Sequence, residues 1–380
     1  MNPMLSAVRL LRELIAIPTP SSVSNLPLLR WVQAFLEPRG WRVALLPYLD
    51  ESGVEKANLI ARPASMSSIF DSRIDLAFVC HTDTVPYATD WSHALIAGER
   101  EGHLHGCGSC DVKGSLACFL AAVSNLDQGA IAPGVALILT ADEEIGCKGM
   151  ERLLATANLS IGSAIVSEPT SLRPGVAGKG YGLARITVEG REAHSAFPQQ
   201  GVSAISIAAR LIAKIDDDFT GERENMLTDS LFDPPRTTIN IGTIEGGTAK
   251  NIIPGRCTFL VEWRAIPGEK ATAVLNDLQA LVLAANEDEP RAEICVEGLR
   301  AEPGFAPAAI GVLQAQLDRL LATQPIGISF GSEASRLARI ADEVIVIGPG
   351  DMRTAHSDRE CVPLAELEKW SEVLRELVHT

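Results

Sequence analysis

Histidine and acidic residues at five places along the chain could together hold a divalent cation: His81-Thr82-Asp83, Asp111, Glu143-Glu144, Glu168 and His356. Such an ion takes imidazole nitrogen or carboxylate oxygen at about 2.0–2.2 Å, from backbone positions that do not shift. Asp83 follows His81 by two residues, so in an extended segment both side chains point to one side. There the carboxylate can accept the second imidazole N–H and fix the ring's tautomer and direction. Glu143 and Glu144 are adjacent acids at the end of an apolar run, where desolvation and mutual repulsion raise proton affinity. That arrangement is poor for stability but useful for chemistry. One acid can bind metal while its neighbour takes a proton from a water. Each segment alone also fits a solvated turn; the combination carries the argument.

The surrounding sequence supplies elements able to hold these groups still. Residues 76–80 form a short apolar run ending at His81, and residues 135–139 a second one ending at Thr140-Ala141-Asp142-Glu143-Glu144. Residues 164–166 are a third, ending at Ser167-Glu168, while residues 112–126 have the small and apolar composition of a packed helix. The alternation predicts an α/β fold with a mixed, largely parallel sheet flanked by helices. Ligands in such sheets bind beyond the carboxyl ends of the strands, where the ionisable residues stand. After about Leu172 the pattern changes. Strand signals at 183–189, 237–242 and 257–265 and helical periodicity at 201–217 and 271–286 predict a β-α-β-β-α-β, ferredoxin-like α+β domain. Beyond residue 299 the α/β pattern resumes, with helices expected at 308–322 and 363–378 and a strand at 343–347. The expected organisation is a catalytic metal-binding domain of residues 1–171 and 299–380, interrupted by an inserted domain of residues 172–298.

Composition excludes several classes. With 48 acidic residues against 33 Lys and Arg, the net charge is −15, which repels phosphate backbones and anionic lipid. Neither a nucleic-acid nor a membrane partner is expected. No run of about 18 apolar residues marks a membrane span. Residues 1–17 carry Arg9, Arg12 and Glu13 on one helical face, as an amphipathic helix and not a signal peptide would, so a cytoplasmic location is expected. The eight cysteines are scattered without the density of a disulfide scaffold. Cys107 and Cys110 have C-x-x-C spacing, but a zinc ribbon needs a second such pair. Two thiols in a glycine-rich turn is the reading adopted.

Further stretches complete a pattern that resembles the M20 metallopeptidase and deacylase family. They are His81-Thr82-Asp83-Thr84-Val85-Pro86, residues 106–114 around Asp111, Thr140-Ala141-Asp142-Glu143-Glu144, Ser167-Glu168-Pro169-Thr170, residues 190–195 ending in Ala193-His194-Ser195, residues 246–254 containing Asn251, and Gly348-Pro349-Gly350 leading to Ala355-His356. The resemblance implies a zinc-aminopeptidase-like catalytic domain with an inserted lid and dimerisation domain, acting as a homodimer. It implies two divalent metal ions, zinc with cobalt as the alternative. Asp111 would lie between them, His81 and Glu168 would complete one site, and Glu144 and His356 the other. Glu143 would be the general acid/base, Asp83 would orient His81, and His194 would stabilise the oxyanion. Asn251 and Arg264 would contact the substrate, a role that suits the guanidinium fork of Arg264 if the substrate has a carboxylate. The segment Gly331-Ser332-Glu333-Ala334-Ser335 implies that Glu333 also contributes to substrate binding. It further implies a small N-acyl amino acid as substrate, with removal of acetyl from acetylornithine preferred over acetylcitrulline, succinyl-diaminopimelate, aminoacylase-type or dipeptide cleavage, and over a non-catalytic binding role on the same scaffold. Cys110, before Asp111, departs from the Ala or Thr common in relatives and leaves the ligand set intact.

Overall fold

The computed structural model describes residues 5–66, 68–70, 73–220 and 227–379. The chain divides into two units. One comprises Met1–Val176, Pro307–Ile326 and Ser332–Thr380, and the other Ala177–Ala306 with Gly327–Gly331.

The first unit is organised by a sheet whose strands within it run in the order Trp41–Leu49, Glu55–Pro63, Val135–Thr140, Ile74–His81, Ile161–Val166 and Ala341–Val346. The four strands from Val135–Thr140 to Ala341–Val346 run parallel; the Trp41–Pro63 hairpin adds antiparallel strands on one side. Val135–Thr140 is buried at every position, which explains its unbroken apolar run: a parallel strand covered on both faces needs no alternation. His81 pairs with Thr140 and Val79 with Val166. This register levels the carboxyl ends of three neighbouring strands, so His81, the Glu143-Glu144 turn and Glu168 leave the sheet at one edge.

Helix Lys113–Ser124 is enclosed on all sides, packed between Ala7–Ile15 and Leu364–Val378. Ser6 caps Ala7–Ile15 by accepting the Arg9 N–H, and Leu10, Leu11, Leu14 and Ile15 form its buried face. Residues 1–4 of the expected N-terminal helix lie outside the described residues. Phe119 stacks on Phe78 and meets Trp41 edge-on, joining helix to sheet. A small three-stranded sheet of Gly98–Arg100, His103–His105 and Cys361–Pro363 ties the segment before Asp111 to the segment after His356.

The second unit is a four-stranded antiparallel sheet in the order Thr238–Gly246, Arg256–Arg264, Tyr181–Glu189, Glu293–Glu302. Helices Ala204–Thr220 and Ala273–Asp288 bury Leu211, Ile215, Leu278 and Val282 in one core with Ile186, Val188, Phe259 and Trp263 of the sheet. The main elements follow the expected β-α-β-β-α-β order. Gly182 is required where Trp263 crosses the sheet, because a Cβ there would come within 1.7 Å of the indole. The boundaries lie beyond those read from sequence. Glu293–Glu302 continues through residue 299, pairing Arg300 with Leu183 and Glu302 with Tyr181, so the unit closes at Ala306 and opens at Ala177. No helix among the described residues is long and apolar enough to cross a membrane.

Candidate metal centre

The strand ends and two loops of the first unit bring the acids and imidazoles together. Asp111 lies at the centre: Oδ1 is 3.1 Å from His81 Nε2 and Oδ2 is 3.0 Å from His356 Nε2. His356 Nε2 is also 3.2 Å from Glu144. Ligand atoms of His81, Asp111 and Glu144 lie within 4.8 Å of one another. Glu168 is buried at the end of its strand, and the charges of Asp111, Glu143 and Glu144 act on it.

His81 Nδ1 lies 2.9 Å from the backbone carbonyl of Asp83. A carbonyl only accepts, so Nδ1 carries the hydrogen and Nε2 faces Asp111. The Asp83 carboxylate stands further off, at 3.7 Å. It accepts the backbone N–H of Glu143 at 3.0 Å, that of Glu144 at 3.2 Å, and the Ser21 hydroxyl at 2.8 Å. The ring is thus directed by the main chain of residue 83, while its carboxylate secures the turn bearing the two glutamates. Behind that turn Asp142, in the left-handed region with φ 57°, meets Lys56 at 3.1 Å and accepts from Tyr48. Lys56 also donates to the carbonyls of Ser21 and Val23, and the Cys147 thiol donates to Glu143 Oε1 at 3.3 Å.

These contacts shift proton affinities in opposite directions. Burial, reinforced by Glu144, Glu333 and Asp83 against the pull of His81, pushes Glu143 up to about 8. Burial and then Asp111 and Glu143 push Glu168 well above the carboxylate range. Burial also works to raise Asp111, but its hydrogen bonds to His356 and His81 prevail and hold it well below that range. Hydrogen bonds to Asp111 and Glu144 raise His356 to about 10. Burial works against a proton on His81, and Asp111 overcomes it, leaving that ring well above its ordinary value. Protons on the imidazoles therefore balance carboxylates that would otherwise repel. The donor set of two imidazole nitrogens and the carboxylates of Asp111, Glu144 and Glu168 fits divalent cations, which would supply the same positive charge more fully.

Glu333 is nearly enclosed, with 1% of its surface exposed, and burial raises it to about 7 beside Thr140, His81 and Asp83. His194, Asn251 and Arg264 belong to the second unit. His194 pairs with Ile252, and Ser195 N–H donates to the Asn251 carbonyl, so these two positions are neighbours. The Ala196 N–H donates to His194 Nδ1 at 3.1 Å, which leaves the hydrogen of the neutral ring on Nε2. Arg264 is held by Glu262 at 2.9 Å and lies over the Tyr181 ring. Cys107 and Cys110 are buried and unbridged.

Sequence reasoning missed Ser21, the Lys56–Asp142 pair and Glu360. Glu360 is buried and accepts the N–H groups of Gly108, Cys110 and Asp111. Its proximity to His356 in sequence was the one available signal.

The profile of Peptidase family M20/M25/M40 matches residues 77–380. The chain belongs to this family and is a hydrolase. It is 40% identical over 380 residues to an acetylornithine deacetylase of Myxococcus xanthus, covering 100% of this chain and 98% of the relative. Its fold is that of an aminopeptidase from Bacillus cereus, with a TM-score of 0.75 and 23% identity over 98% of this chain and 97% of that one. A dinuclear metal-binding peptidase of the M20 family from Bacillus subtilis is also similar, with a TM-score of 0.68 and 13% identity over 98% and 97% of the two chains.

Proposed function

We propose that the chain is a two-metal amidohydrolase that removes the acetyl group from the α-nitrogen of acetylornithine, in arginine biosynthesis. The supporting observation is the carboxylate of Asp111 between two imidazoles, 3.1 Å from His81 and 3.0 Å from His356. One carboxylate serving two nitrogen donors from opposite oxygens suits a ligand shared by two cations. His81 and Glu168 are assigned to one ion, Glu144 and His356 to the other; zinc is the proposed metal and cobalt the alternative. Bound there, the ions would supply Lewis acidity and lower the proton affinity of a water.

The residues of the chain do the rest. Glu143 takes the proton of the attacking water and delivers it to the leaving amine, a role that suits a carboxylate held in the turn beside Glu144. Asp83 holds Glu143 and Glu144 through their backbone N–H groups. His194, with its hydrogen on Nε2, donates to the carbonyl oxygen as charge develops, a contact whose removal typically costs ~3–4 kcal/mol. Asn251, Arg264 and Glu333 bind and orient the substrate. The choice of acetylornithine is supported by the 40% identical relative of that name. The roles of the inserted unit as lid and homodimer interface are part of the proposal. Exposed Ile244 on its edge strand and exposed Ile205 on its helix offer apolar surface for the latter. A cytoplasmic location is also proposed; the eight free cysteines are compatible with it.

The test is turnover of zinc-supplied protein on acetylornithine, acetylcitrulline, succinyl-diaminopimelate and a dipeptide. The highest kcat/KM is expected on acetylornithine. Fast desuccinylation beside negligible acetylornithine cleavage would end the substrate assignment.

A further inference from the structure

Glu360 is a buried acid, 2% exposed, that spends its carboxylate on the main chain. Oε1 accepts the N–H groups of Cys110 and Asp111, each at 3.1 Å, and Oε2 accepts that of Gly108 at 3.0 Å. Its own carbonyl accepts the Gly106 N–H at 3.3 Å. Four hydrogen bonds from one residue thus hold the loop that ends in Asp111. Glu360 also stands four residues after His356, and Cys361 beside it pairs with His105 in the three-stranded sheet. The segments bearing Asp111 and His356 are fastened to each other at this residue. Its carboxylate also sets a second negative charge beside Asp111, which a bound cation would offset.

Resting on the metal-centre reading above, we propose that Glu360 is a positioning residue for the shared ligand. By fixing the backbone at residues 108, 110 and 111 it keeps the two Asp111 oxygens turned toward His81 and His356. Glu360→Gln nearly preserves size, but its amide has only one accepting atom for three N–H groups, and its NH2 group must face at least one of them.

The test compares Glu360→Gln with Glu343→Gln. Glu343 is another buried acid that accepts backbone N–H groups, from Leu313 and Gln314 at the start of helix Val312–Leu321. Three quantities are read: the melting temperature of the metal-free protein, zinc affinity by chelator competition, and kcat and KM on acetylornithine at saturating zinc. Glu360→Gln is expected to weaken zinc binding by about 10–100-fold and lower kcat on a similar scale, with KM within about twofold. Glu343→Gln is expected to lower the melting temperature while leaving zinc affinity and kcat at wild-type values. Wild-type zinc affinity in Glu360→Gln overturns the proposal, as does an equal loss of affinity in Glu343→Gln. Should Glu360→Gln fail to fold, Glu360→Asp keeps the charge one methylene short. It is expected to lose at least about threefold in zinc affinity, and wild-type affinity there also overturns the proposal. Zinc binding is read without substrate. A wild-type chain that binds zinc but cleaves no acetylornithine therefore defeats the functional reading and leaves this test intact.

Discussion

Replacing Asp83 by Asn separates two jobs of one residue. The carboxylate accepts three hydrogen bonds while 2% exposed. In the amide, the best orientation puts oxygen at the Oδ2 position, keeping Ser21 and the Glu144 N–H. The NH2 group then faces the Glu143 N–H, donor against donor across a gap that is now 3.0 Å. An unmet buried donor costs about 1–3 kcal/mol, and a bond to a charged acceptor lies towards the top of that range. Part of this is offset, because burial and the nearby Glu144 already raise the Asp83 pKa, so a neutral group relieves strain. The net expectation is about 1–2 kcal/mol of destabilisation, read from guanidinium unfolding of the metal-free protein. Misplacing Glu143 should lower kcat by about 10–100-fold. The His81 ring keeps its direction, since the Asp83 carbonyl that accepts from Nδ1 is unchanged by the substitution. Zinc affinity should therefore fall much less than kcat. Unchanged stability and kcat would refute the reasoning, and so would a loss of zinc affinity as steep as the loss of kcat.

Zinc affinity should rise with pH between 6 and 8 with measurable proton release, because His81 and His356 are both raised, His356 to about 10, and must shed protons to bind metal. Conversely, the contribution of His356 to metal-free stability is complete below the unfolded imidazole value of about 6.5 and is lost as pH rises through about 10; a zinc titration flat in pH would contradict both statements. Lys56→Met leaves Asp142 buried with Tyr48 as its remaining side-chain partner and should destabilise by about 3–5 kcal/mol, with Lys56→Met/Asp142→Asn recovering part of the loss in thermal melts. Phe119→Ala empties a fully buried position stacked on Phe78 and should cost about 3–5 kcal/mol; a chemical-denaturation midpoint equal to wild type would count against the described packing.

Three residues of the candidate centre, His81, Glu144 and Glu168, were legible because they follow apolar runs that end abruptly in ionisable residues, whereas Asp111 and His356 stand in loops and came from the family resemblance. A parallel strand buried on both faces writes itself as such a run, and its carboxyl end is where a functional side chain can be held without competing for core space. What remained hidden depends on main-chain contacts. Glu360 sits in Ser357-Asp358-Arg359-Glu360, which reads as a solvated turn, and its partners are backbone N–H groups that no side-chain pattern reveals. The strand Glu55–Pro63 was missed because it buries Lys56, Asn58 and Arg62, contrary to its hydropathy. The domain boundary was set too early at residue 299 because the pairing of Glu293–Glu302 shifts register between Gly298 and Arg300. A bulge interrupts the alternation that marks a strand while the strand itself continues.

The most direct measurement is zinc stoichiometry. Protein stripped with chelator is dialysed against zinc, and bound ions per chain are counted for wild type and for Asp111→Asn, which keeps the shape of the central ligand and removes its charge. Two ions per wild-type chain are expected, with at least one lost in the variant. A wild-type chain that retains no zinc, or an Asp111→Asn chain that still holds two with unchanged affinity, would contradict a cation pair organised around Asp111.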